Sequence, residues 1–224
     1  MSLDVLFENQ DLIICIKPPT VPSQPDPSGD EDMTALIRSH LSSKGEAGEV
    51  FVVHRLDRGV GGVMVYAKTK RACAYLSERI SDKELFKKEY LAVVSGAPAE
   101  EQGTLEDYIY KDSKSAKAFI VKGARAGAKR ASLDYSILQS VKSEDKSYSL
   151  LKIKLNTGRY HQIRVQLASR GLPICGDGKY GSREKTETLC LWSYSLSFDY
   201  NGKRLSFCKT PDVNKKIWNL FDIK

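Results

Sequence analysis

Histidine and tryptophan are scarce in this chain of 224 residues, three and two respectively, and its five cysteines never form a C-x-x-C pair. Without ligand-spaced histidines or paired cysteines, the sequence argues against a bound metal. The scattered thiols (Cys15, Cys73, Cys175, Cys190 and Cys208) also argue against a disulfide framework and fit a reducing compartment, packed mostly as small apolar residues. No apolar run approaches the length of a membrane span, and residues 1–20 lack the architecture of a secretory signal. Internal repeats, low-complexity tracts and a convincing domain linker are absent as well. These absences predict a cytoplasmic protein with no membrane attachment, organised as one domain over residues 1–224.

What is present is an ordinary globular composition, 41% hydrophobic and 28% charged, with a net charge of +7. An excess of positive charge suits a polyanionic partner, although the sum alone is weak evidence. Position carries more. Basic residues concentrate at Lys68 to Arg71, Lys87-Lys88, Lys111 to Lys117, Lys122 to Arg130 and Arg159 to Arg170.

Apolar periodicity predicts strands at Val5 to Phe7, Leu12 to Ile16, Val63 to Ala67 and Phe86 to Ser95. After Pro98, further strands are expected near Thr104 to Ile109, Ala116 to Val121, Ser132 to Val141 and Tyr148 to Leu155. Lys17-Pro18-Pro19 and the stretch Pro22 to Gly29 form a loop that cannot continue a sheet. Helices are expected at Met33 to Leu41, Lys70 to Ile80 and Tyr160 to Ser169, with a last one from Asp212 to Phe221. Asn201-Gly202 between Leu196 to Tyr200 and Arg204 to Cys208 is a strong hairpin signal. The fold class is therefore α+β, a mixed, mostly antiparallel bent sheet flanked by helices.

Three segments carry chemistry. In His54-Arg55-Leu56-Asp57-Arg58 one carboxylate lies between two arginines, which favour its ionised form, and a glycine-rich turn follows. Taken alone, an arginine–aspartate surface pair is the commoner explanation of so short a run. In Lys87-Lys88-Glu89-Tyr90 a strand places Tyr90 on one face with Ala92 and Val94, and a buried structural tyrosine is the usual case. Helical spacing over Tyr160 to Ser169 puts His161, Arg164, Val165 and Ala168 on one face, with Arg159 at its start. Glycines around Asp177 and Tyr180 then imply a tightly built loop. A basic surface helix followed by a turn-rich loop would look the same.

Together these segments resemble the RluA-type pseudouridine synthases. His54 to Arg58 is similar to that family's catalytic motif, and Lys88-Glu89-Tyr90 to the motif that supplies an active-site tyrosine. Thr157-Gly158-Arg159, His161-Gln162-Ile163-Arg164 and Gly176-Asp177 through Tyr180-Gly181 resemble its third motif. Val5 to Asn9 with Ile16-Lys17-Pro18 resembles its first. The matches run in the family's order from residue 5 to 181, and Leu189 to Pro211 resembles its closing strands. Six residues at four places depart from the pattern: Val60-Gly61 stands for Thr-Ser, Gln166 for a histidine, Trp192-Ser193 for His-Ala, and Thr20 for a glycine.

The resemblance implies a single pseudouridine-synthase-like catalytic domain that isomerises uridine in ribosomal or transfer RNA, without an N-terminal RNA-binding module, cofactor, metal or obligate protein partner. It assigns catalysis to Asp57, Tyr90 and Arg164, and RNA contact to His54, Arg55, Arg58, Lys88, Arg159 and His161. Asp57 would attack the sugar, stabilise positive charge at C1′, or act on a route through proton loss at C2′. Arg164 would pair with Asp57 and hold it ionised. Tyr90 would pack on the uracil, with its hydroxyl a candidate for proton transfer, and Arg55 would fill the space the base leaves. His54 and His161 would act by hydrogen bonding. Flipping the base costs a few kcal/mol and stacking on an aromatic returns about 1–3 kcal/mol, so lysine and arginine contacts to phosphate must supply most of the affinity. Loop shapes such as Ser113 to Arg130 would then influence target choice. The alternatives are an inactive RNA-binding protein of the same fold, a metal-independent RNA hydrolase using His54, Asp57 and His161, and a basic protein-interaction domain.

Overall fold

A computed structural model describes residues 3–46, 48–143 and 145–223. In chain order the strands are β1 (Asp4–Glu8), β2 (Leu12–Lys17), β3 (Phe51–Val52), β4 (Gly61–Ala67), β5 (Phe86–Ser95), β6 (Gln102–Asp112), β7 (Lys117–Val121), β8 (Ala128–Ser143), β9 (Lys146–Leu155), β10 (Leu191–Tyr200) and β11 (Lys203–Cys208). The helices are α1 (Met33–Ser43), α2 (Lys70–Arg79) and α3 (Gln162–Ala168). The chain divides into two compact units, Met1–Lys88 with Ser193–Pro211, and Glu89–Trp192 with Asp212–Lys224.

In the first unit the strand order is β1-β2-β4-β10, with β3 also on β4 and β11 on β10. Strands β2 and β4 are buried at every position, as their continuous apolar runs require. Each helix of this unit starts on a side-chain cap: Asp32 accepts from Thr34 N at 2.7 Å for α1, and Thr69 accepts from Ala72 N at 3.2 Å for α2. The His40 ring on α1 lies 2.9 Å from Glu8, which also receives Lys44 and Lys68. Burial works against the Glu8 carboxylate, but hydrogen bonds from these three hold it at about 2.

In the second unit the order is β5-β9-β8-β6-β7, with each neighbouring pair antiparallel. One face of β6, β7 and β8 packs Ile109, Ala118 and Ala131 against Val165 of α3 and Tyr180. Strand β8 runs well beyond the expected Ser132 to Val141, because it pairs along its length with both β6 and β9.

Among the described residues no helix is long and apolar enough to cross a membrane. The α+β class and the Asn201-Gly202 hairpin agree with the sequence. The last helix does not. Asp212 caps Asn214 N locally at 3.0 Å, Ile217 takes a positive φ of 76°, and only Trp218–Leu220 forms a short 3-10 turn. Burial of Ile217, Trp218 and Phe221 outweighs helical continuity there.

Candidate active site

In the first unit, Asp57 lies in the loop between β3 and β4, half-buried, between the exposed Arg55 and Arg58. The backbone on each side of it is fixed. Before it, Ser23 Oγ donates to Leu56 O at 2.9 Å and accepts from Leu56 N at 3.1 Å. After it, Thr20 N donates to Arg58 O at 2.8 Å, and Val60 N closes the turn onto Asp57 O at 2.9 Å. Val60, one of the departures from the family pattern, is thus a buried residue that completes the Asp57 turn.

Lys17 completes the clamp. It ends the fully buried strand β2 with no exposed surface, and its Nζ donates to Pro18 O, Val21 O and Arg58 O at 2.9, 2.6 and 3.1 Å. Burial pulls this ammonium down to about 7, with Asp57 opposing the shift and Arg58 adding to it. Opposite Lys17 in the β2–β4 register is Gly62, with φ of 122°. A Cβ on Gly62 would lie 2.2 Å from Ser193 O, so the Asp57 loop can enter β4 only through glycine.

His54 is buried, and its Nε2 accepts from Val65 N at 3.3 Å. Burial, with the charge of Lys88 adding to it, lowers this imidazole to about 3, so it is neutral at physiological pH and serves as a backbone acceptor. Lys88 is half-buried, its Nζ 5.6 Å from the centre of the Phe86 ring, and burial lowers its pKa as well. Arg58 donates to Thr20 O at 2.9 Å and is paired with Asp30, with Asp26 at 3.9 Å. Of the basic side chains flanking Asp57, Arg55 is exposed and Arg58 is engaged with these carboxylates.

In the second unit, Tyr90 is buried on β5 opposite Ile153 of β9. Arg164 of α3 grips Asp177 with two parallel bonds, Nε to Oδ2 at 2.7 Å and Nη2 to Oδ1 at 2.8 Å, and Asp177 is only 2% exposed. Its guanidinium also lies 5.0 Å from the Tyr180 ring centre. This bidentate contact orients the arginine through a carboxylate that the sequence marked only as part of a tight loop. Gly176 makes that loop possible: its φ is 83°, and a Cβ there would be 2.0 Å from Thr186 Oγ1. The expected Asp57–Arg164 pair would join residues of different units. Within its own unit Arg164 is oriented by Asp177.

His161 corrects the sequence reading. It is the residue before α3, in the left-handed region at φ 51°, and does not belong to the helical face of Arg164. Its carbonyl accepts the first helical bond from Val165 N, while its Nδ1 lies 2.8 Å from Tyr180 Oη. That hydroxyl also accepts from Ala118 N at 2.8 Å, so it joins the imidazole to strand β7. Gln162 ties the turn together, its Oε1 accepting from Thr157 Oγ1 and Arg159 N at 2.8 and 2.9 Å. Arg159 is exposed and donates to Arg130 O at 3.0 Å. Gln166, another departure, is wholly buried and donates to Asp107 at 2.7 Å, a bond a neutral amide makes without burying a charge.

Sequence reasoning missed Lys17, Ser23 and Asp177 as anchors. The signal for Lys17 was available: a cation directly after five apolar strand residues must find acceptors. Among the described residues no group of three or more His, Cys, Asp or Glu could hold a metal ion.

The model of the RNA pseudouridylate synthase family matches residues 11–169, a span holding the Asp57 loop, Tyr90 and Arg164. The chain belongs to that family. Among curated relatives of the pseudouridine synthases, an uncharacterized RNA pseudouridine synthase, YhcT, of Bacillus subtilis is 35% identical over 82% of this chain and 59% of that protein. The ribosomal large subunit pseudouridine synthase D of Borreliella burgdorferi is 32% identical over 89% of this chain and 62% of that protein. The chain thus spans about three fifths of the length of these two relatives. Among solved structures, human RNA pseudouridylate synthase domain containing 1 shares the fold, with a TM-score of 0.78 and 23% identity over 95% of this chain and 84% of that one.

Proposed function

We propose that this chain is an RNA pseudouridine synthase acting as one catalytic domain. The reaction breaks the N1–C1′ bond of a uridine, turns the base and joins C5 to C1′; C5 gives up its proton and N1 gains one, so atoms balance without a second substrate or cofactor. The observation that carries the reading is the Asp57 loop: one carboxylate whose backbone is fixed from both sides by Ser23, Thr20 and Lys17. Such fixation suits a carboxylate that must meet a sugar carbon as nucleophile or as counter-charge.

The remaining roles are proposed as the family resemblance implies them. Tyr90 packs against the uracil, with its hydroxyl a candidate for proton transfer. Arg164, aimed by Asp177, supplies the positive charge of the site. Arg55, exposed beside Asp57, takes the space of the everted base. His54 and His161 act by hydrogen bonding, which the neutral, buried state of His54 supports. Arg58, Lys88 and Arg159 are proposed as RNA contacts. Ribosomal RNA is the first substrate to test, since one relative is named for the large ribosomal subunit; transfer RNA is the second.

The test is tritium release from RNA carrying 5-tritiated uridine, with the same RNA run on a denaturing gel. Release with unchanged chain length is the expected result. Strand cleavage would assign a hydrolase instead, and binding without release would assign an inactive RNA-binding protein.

A further inference from the structure

Seven basic residues against one acidic, Asp112, lie between Lys111 and Arg130. That balance of +6 in twenty residues compares with +7 for the whole chain. The segment forms the β6–β7 hairpin and the start of β8. Among the described residues only Arg130 of the seven is ion-paired, with Glu106 at 2.8 Å. So much uncompensated positive charge on one short hairpin favours a polyanion.

Strand register adds a second observation. Tyr110 stands opposite Phe119 of β7 and Ala128 of β8, and Tyr108 opposite Val121 and Arg130, so these side chains share a face. The other face of the same strands, through Ile109, Ala118 and Ala131, is committed to the core of the unit. On the first face Phe119 is 42% exposed. The Tyr110 ring lies across Gly127, where a Cβ would be 3.3 Å away, and the Arg125 guanidinium is 5.0 Å from its centre. Lys117 Nζ is 5.8 Å from the Phe119 ring centre. The exposed Phe119 and the half-buried Tyr110, interleaved with cations, offer what unpaired nucleotides need, ring faces for bases and charge for phosphates.

The hairpin is also fixed. Ala116 O at its turn accepts from Lys179 Nζ at 2.9 Å and Tyr160 Oη at 3.3 Å, and Ala118 N donates to Tyr180 Oη. The aromatic ledge is thereby bonded to the segment that carries His161.

We infer that the outer face of β6, β7 and β8 is a docking platform for unpaired RNA nucleotides other than the target uridine, stacking on Tyr110 and Phe119 with Arg125 and neighbouring lysines on their phosphates. The inference rests on the reading of the protein as an RNA-modifying enzyme, but not on its catalytic residues.

The test is binding of a fluorescein-labelled single-stranded oligouridylate over a salt series, with ultraviolet crosslinking and peptide mapping on the same complex. Phe119→Ala is expected to weaken binding roughly five- to hundredfold, with Phe119→Tyr restoring it and Phe119→Leu failing to. Arg125→Ala should reduce the salt slope by about one. Crosslinks should map to Tyr110 or Phe119. Unchanged affinity and slope, with crosslinks elsewhere, would overturn the platform even if tritium release succeeds. Crosslinks at the platform with no release from any RNA would uphold it while the isomerase reading fails.

Discussion

Replacing Lys17 by methionine separates what the buried ammonium does for stability from what it does for the Asp57 loop. Methionine keeps the stem and removes the charge and its donors. The interval between the ordinary lysine value of 10.5 and the buried value of about 7 corresponds to about 5 kcal/mol disfavouring the charged form in the fold. Methionine relieves that cost. Against it stand the carbonyls of Pro18 and Val21, which lose their donor; Arg58 O keeps Thr20 N. An orphaned buried carbonyl costs about 1–3 kcal/mol, so the two together offset most of the relief. The net change in stability should lie within about 2 kcal/mol of zero, little more than a few degrees in Tm. Turnover should respond differently, because displacement of a reacting group by an ångström costs on the order of a hundredfold. Thermal unfolding and single-turnover tritium release on the same preparation measure both. A variant that unfolds at the original temperature and turns over at the original rate would refute the positioning argument. One destabilised by far more than this range would refute the cancellation.

Thr20 holds φ at 74°, a left-handed conformation that burdens a β-branched residue. Thr20→Gly should stabilise by up to about 1 kcal/mol in denaturant unfolding, strain relief exceeding the added chain entropy; a loss would mean that the side chain contributes more than the strain costs. Gly62→Ala should cost at least about 3 kcal/mol, because its Cβ would meet the Ser193 backbone. Gly29→Ala, also at positive φ but with nothing within 4 Å, should cost only about 1–2 kcal/mol, and equal losses would remove the contact argument. His54 titrates near 3 in the fold against an ordinary 6.5, so the unfolded chain takes up its proton first, and stability falls as pH drops through that window. Glu8, held at about 2 against 4.5, keeps its full stabilisation above about 4.5 and loses it only as pH falls from there toward 2, below the window of His54. His54→Gln should therefore flatten the slope of unfolding free energy between pH 6.5 and 4.5, and an unchanged slope would place the titrating group elsewhere.

Much of the fold was legible because period and punctuation agreed. Phe86 to Ser95 matches β5 end to end, and the hairpin at Asn201-Gly202 follows from the φ of 48° and 73° that those two residues accept. The Asp57 segment was legible as an acidic residue leading into glycines, and the need for Gly62 follows from how closely the Ser193 backbone approaches. What periodicity could not reveal was tertiary. Lys17 and Ser23 act on a loop more than thirty residues away, and Asp177 reaches Arg164 only through a turn with Gly176 at positive φ. His161 fitted helical spacing, yet its bond to Tyr180 accompanies a left-handed backbone, and α3 begins only after it, at Gln162. At the C-terminus three buried apolar side chains imitated a helical stripe, while the Asp212 cap and the backbone at Ile217 broke it.

Asp57→Asn, assayed for tritium release from 5-tritiated uridine RNA and for RNA binding on the same folded protein, tests most directly whether this carboxylate performs the chemistry. No release, with binding close to that of the unaltered chain, is the outcome expected. Release at the unaltered rate would contradict the assignment, whatever the RNA affinity.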